Sequence, residues 1–160
     1  MGDGTYISMM TDSLRKKKEI MSEVYGITRE QNEILREGDV DQDYFSELIA
    51  KKGKYIERLE ELDRGFDKLY SKVEQVLLSD KDTYEPDIRI MKELIKEITD
   101  YSSSIQALEA KNNDLFKKYA IEERARLKKL NASQQTAMTY AQNMAGAHKP
   151  GNSYFVNETK

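Results

Sequence analysis

The residues best suited to chemistry are few in this chain and poorly placed for it. There is one histidine, His148, flanked by Gly146, Pro150 and Gly151, and there is no cysteine. Imidazole triads, thiolate nucleophiles and His/Cys metal sets all need several such groups to converge, so their components are missing. Carboxylates are plentiful, but the pairs Glu60-Glu61 and Glu122-Glu123 are sequence neighbours. On a helix, neighbours diverge by about 100° and cannot close on one substrate. The glycines at 2 and 4 and those near the C-terminus lack the strand and the Lys-Ser/Thr that a phosphate loop requires. The expectation is no enzyme, no metal and no cofactor, which leaves binding.

A binding protein of this composition is built from long solvated helices. The chain has 160 residues, 34% of them charged and 9% aromatic, with no Trp, two Pro and eight Gly. That length suits one domain or one elongated helical unit, and so little punctuation demands long elements. The opening residues lack a leader's basic start and apolar core, and no apolar run is long enough to span a bilayer. A cytoplasmic protein without membrane insertion is expected.

Three segments carry helical periodicity. The middle one runs Phe45, Leu48, Lys52, Tyr55, Leu59, Leu62, Phe66, Leu69, Val73 and Val76, a sustained heptad. Asp41 or Asp43 can cap its start, and Ser79-Asp80 ends it. The third opens at Pro86 and runs Met91, Leu94, Ile98, Tyr101, Ile105, Leu108, Asn112, Leu115 and Tyr119. The first is looser, with Leu14, Met21, Val24, Ile27, Ile34 and Leu35 at helical spacing and Gly38 after its end. Short connectors make sequential helices antiparallel. The expected fold is therefore all-α: an elongated antiparallel bundle of three long helices with coiled-coil-like packing, monomeric or weakly dimeric.

Lys52 and Asn112 each interrupt an apolar seam. A buried polar group there would select register. The preferred expectation is plainer: Lys52 snorkels to solvent, and a seam position near a bundle's end stays half exposed. The basic run Arg15 to Lys18 and the mixed run Glu122 to Lys129 read as solvated faces. The net charge is −3 and no set of stacking aromatics accompanies the runs, so nucleic acid is not expected as a partner.

Charge then stops: from Asn131 to Ala147 there is no Asp, Glu, Lys or Arg. On a wheel continued from Leu127 and Leu130, Gln134, Ala137, Met138, Ala141, Met144 and Ala145 share one side. Small residues permit close approach and Met fills irregular gaps, a combination that suits an amphipathic partner helix. The same stripe would serve equally to pack back on the bundle. Beyond Tyr119 the seam meets Glu122 and Arg126, while apolar residues resume one place late at Leu127 and Leu130. The C-terminal part is thus expected to face away from the bundle. This divides the chain into a bundle (1–130), an uncharged helical arm (131–147) and a flexible tail (148–160) whose Tyr154 and Phe155 form either a docking motif or plain tail.

The stretches "YISMMTDSLRKKKEIM", "ELIAKKGKYIERLEELDRGFDKLY" and "IKEITDYSSSIQALEAKN", followed by "TYAQNM", a Pro-Gly and "SYF", resemble the FlgN-type flagellar export chaperones, over Tyr6 to Phe155. The resemblance implies a cytoplasmic helical chaperone of the flagellar type III export system, without ATPase activity. It further implies hook-filament junction proteins as clients, export apparatus components as further partners, and client binding toward the C-terminal part. The resemblance assigns no individual contact residues; Leu127, Leu130, Ala137, Met138, Ala141, Met144 and Ala145 are read from the wheel. A structural coiled-coil scaffold or spacer is the alternative.

Overall fold

The computed structural model describes the backbone of residues 2–141, with side chains to residue 133. It consists of α1 (Asp3–Glu37), α2 (Gln42–Ser79) and α3 (Glu85–Ala141). The ends follow local chemistry. Gly38 closes α1 in the left-handed region at φ 80°, its N–H donating to the Ile34 carbonyl at 3.2 Å. Asp41 caps α2 by accepting from the Tyr44 N–H at 3.1 Å. Pro86 lies in the first turn of α3, between Glu85 and Asp87, where its missing N–H leaves no bond unmade and the two carboxylates oppose the helix dipole.

The three helices run up, down and up, as the connectors require. At one end Ile7, Met10 and Leu14 of α1 pack with Val73 and Val76 of α2 and Met91 and Leu94 of α3. At the other, Leu35, Phe45 and Phe116 form a second cluster. Between these ends Tyr55, Leu59, Leu62, Phe66 and Leu69 of α2 are only half-buried, since no fourth helix covers them.

The helix with the loosest apolar pattern proves to be the central one. α1 packs against both α2 and α3. It therefore buries Ile7, Met10, Thr11, Leu14, Ile20, Met21, Val24, Ile27, Thr28, Gln31 and Leu35, a set too broad for one stripe. Two of these are hydroxyls, and each donates to the carbonyl four residues back, Thr11 to Ile7 at 3.0 Å and Thr28 to Val24 at 2.7 Å. The Arg15 to Lys18 run is a solvated face with an added duty. Lys17 reaches Asp63 of α2 and Lys18 reaches Glu97 of α3, each at 2.8 Å. The hydrogen bond it donates to the Glu97 carboxylate holds the Lys18 ammonium above its ordinary pKa.

Two expectations are corrected. Asn112 is not a half-exposed seam residue: it is 7% exposed. Its Nδ2 donates to the Thr28 carbonyl at 3.0 Å and its Oδ1 accepts from Asn32 at 2.9 Å. Lys52 does not snorkel free either. With 14% of its side chain exposed, it spans Gln31 of α1 and Glu109 of α3, at 2.6 Å each. A polar layer linking all three helices thus crosses the bundle. Second, the α3 seam changes phase before Tyr119 and not after it. It shifts by one residue at Asn112, continuing through buried Phe116 in a step of four where a strict heptad would reach Leu115.

Candidate functional site

The polar layer and the aromatic end of the bundle together border an open groove. Phe45 and Phe116 stack across α2 and α3 with centroids 5.9 Å apart and planes 13° from parallel. Tyr119 tilts against Phe116 at 6.2 Å and accepts at Oη from Gln42 Nε2 at 3.0 Å. Ile49 and Leu35 complete an apolar wall, while Gln31, Lys52, Glu109 and Asn112 form the polar one. The groove has a volume of about 440 Å³ and is open to solvent. Tyr44, next to Phe45 in the chain, is exposed; its phenol donates to Glu30 and is held above its ordinary pKa by that bond.

From this end α3 continues. It has 57 residues against 35 in α1 and 38 in α2. At 1.5 Å per residue the 22 positions after Tyr119 add about 33 Å of helix. The seam shift decides which side of this extension continues the groove. Phe116 and Leu127 are 11 residues apart, three turns of helix, and so lie on one side. Ala120, Glu123, Leu127 and Asn131 follow that line and are half-buried, whereas Ile121 on another face is 66% exposed. Glu123 is neutralised within the helix by Arg126, whose guanidinium it holds above its ordinary pKa.

Of the residues picked out by sequence, Leu127 is half-buried and Leu130 is 48% exposed. Ala137, Met138 and Ala141 belong to the last turns of α3, with only their backbone described. Met144, Ala145, His148, Tyr154 and Phe155 lie outside the described residues. The groove at the base of the extension was not anticipated. A signal for it exists: Lys52 and Asn112 each lie 30 residues from Asp82 in the α2–α3 turn, so an antiparallel hairpin brings the two polar breaks to one level.

Nothing in this arrangement converges on a reacting atom. Among the described residues no group of three or more His, Cys, Asp or Glu could hold a metal ion. What the arrangement offers is a half-buried line of Phe116, Ala120, Glu123, Leu127 and Asn131, beginning at an open groove and running along a helix that no other helix among the described residues accompanies. The FlgN protein family matches residues 1–147. The chain belongs to this family. The match covers all three helices of the bundle, and it extends past Ala141 to the end of the uncharged stretch. The FlgN family is one of flagellar export chaperones. No curated protein and no solved structure matches the chain. Among the described residues no helix is long and apolar enough to cross a membrane.

Proposed function

We propose that this protein is the cytoplasmic chaperone of hook-filament junction proteins, binding their helical terminal segments, preventing their premature assembly and delivering them to the type III export apparatus. In this reading the bundle of 1–130 is the body and the uncharged arm of 131–147 continues the binding line; residues 142–160 lie outside the described residues. The observation that carries the reading is the extension of α3 past its neighbours, with the side that continues the Phe116 groove unmatched by another helix of the bundle. Unassembled terminal segments of such clients are disordered until they find an apolar surface. Laid on this line, a client helix gains about 25 cal/mol for each Å² of apolar surface buried. Its ordering entropy offsets much of that, which keeps the complex releasable. Release needs no nucleotide on this chain; the export machinery competes for the same segments.

The test is co-purification with junction proteins, using the full chain beside a version ending at Leu130. Recovery by the full chain alone is expected and assigns binding to the arm. Equal recovery by both places the site in the groove and the first turns of the extension. Failure of both, with concentration-dependent melting, would replace the chaperone by a structural coiled coil.

A further inference from the structure

The charges of this protein are segregated along its length. Residues 1–119 carry 26 Asp and Glu against 20 Lys and Arg, whereas residues 120–141 carry four Lys and Arg against two Glu. An acidic bundle thus bears a basic extension. The cations of the two parts are also used differently. In the bundle Lys17, Lys18 and Lys52 join one helix to another through carboxylates. At the base of the extension and along it, Lys117, Arg124 and Lys128 are exposed and join no ion pair among the described residues.

These three cations form a row. They are spaced by seven and four residues, which places them on one strip of the helix about 16 Å long. Rotation by 100° per residue sets that strip directly beside the line of Phe116, Ala120 and Leu127, with exposed Ile121 at its outer edge. The opposite flank holds Arg126, which is already neutralised by Glu123. The apolar line therefore has one self-satisfied edge and one edge of unanswered positive charge.

Resting on the function proposed above, we propose that the client helix accepted by this extension is acidic along one edge, with Asp or Glu at a spacing of seven and four residues facing Lys117, Arg124 and Lys128. Such a helix relieves the repulsion within the row and is set in register by it, as charged flanks set partner choice in coiled coils. The row also attracts acidic segments before contact, which shortens the search for a disordered client. Phosphate chains are a poorer match: Glu122 and Glu123 lie within the same turns, and Ile121 sits at the edge of the row.

The experiment measures fluorescence anisotropy of two labelled peptides against the full chain. One is a junction protein's terminal segment, and the other is the same segment with every Asp and Glu replaced by Asn and Gln. The protein variants are K117E/R124E/K128E and, as a control of equal charge change on the bundle, K68E/K72E/K92E. Circular dichroism should show both folded, because both sets are exposed. The acidic peptide is expected to lose about tenfold in affinity toward the extension variant and little toward the control, with the difference shrinking at high salt. The amide peptide should bind more weakly to the parent and equally to the extension variant. Equal binding of both peptides to the parent would overturn the inference while leaving the chaperone reading intact. Loss of equal size in the two variants would reduce the row to a net-charge effect and overturn it as well. Tighter binding of a single-stranded oligonucleotide, abolished in the extension variant, would assign the row to phosphate instead. If neither peptide bound the parent, the proposed function itself would fall and this inference with it.

Discussion

Asn112 of α3 donates from Nδ2 to the backbone carbonyl of Thr28 in α1 at 3.0 Å, across 84 residues of chain. Its Oδ1 accepts from Asn32, so the amide is answered on both sides in a buried setting. Replacing it by Ala removes both bonds and leaves a void, and N112A should destabilise the protein by about 2–3 kcal/mol. N112L should cost less, by filling the space, but should loosen the register of α3 on α1. Urea unfolding measures the first effect; the second appears as broadened amide resonances along α3. If N112L kept sharp resonances, the polar layer would be a stabiliser without a role in register.

Lys52 serves a buried partner and an exposed one. Gln31 is 4% exposed, whereas the Glu109 side chain is 46% exposed and can return to water. Lys52→Met should therefore cost about 1–2 kcal/mol, chiefly through the orphaned Gln31 amide. Adding Gln31→Leu should recover most of that loss. Denaturant midpoints of the two single variants and the double variant close the cycle, and strict additivity would contradict the assignment.

Gly38 holds the α1–α2 turn at φ 80°, and a Cβ there would meet no atom within 4 Å. The cost of Gly38→Ala is thus backbone strain alone, about 1 kcal/mol, with Gly38→Asn less harmful. Thermal melting of the two variants should rank them in that order.

Tyr44 donates its phenolic proton to Glu30, which raises its pKa in the folded protein. A raised value means that the bond's contribution is complete below the unfolded pKa, near 10, and fades as pH rises through the folded value. Absorbance of the ten tyrosines should include one late-titrating component, absent from Tyr44→Phe. The variant should also lose less stability than the parent as pH rises above about 10.

Met10 is 2% exposed, while Leu78, at 82%, is open to solvent. Met10→Ala should cost about 2–4 kcal/mol and Leu78→Ala less than about 0.5 kcal/mol. The comparison checks that the cluster of Met10 with Leu14, Val73, Val76, Met91 and Leu94, and not general hydrophobicity, holds the helices together.

How legible the candidate site was depended on the kind of signal. A helical wheel needs only local phase, and by it Leu127 was placed on the half-buried line of α3, while Leu130 is 48% exposed. The groove beneath them was missed, because its walls come from Phe45 on α2 and Phe116 on α3, residues 71 apart in the chain. Asn112 was misjudged for a related reason. Its burial depends on Thr28 and Asn32 of α1, and no periodicity within α3 reveals those partners.

What the amino-acid sequence determined by itself was the number of helices, their ends and their directions, since heptads, caps and turn residues act over a few neighbours. Gly38, Asp41 and Pro86 stop or start helices by their own backbone and side-chain chemistry. What only the tertiary structure decided was which helix lies in the middle, and where α3 changes phase. α1 has the loosest heptad because it is buried from two sides, and a helix covered on two faces spreads its apolar residues beyond one stripe. The step from Asn112 to Phe116 is settled by Phe45 stacking on Phe116 and by the amide bonded to α1. Contacts between segments made that choice, because Leu115 and Phe116 satisfy local periodicity almost equally well.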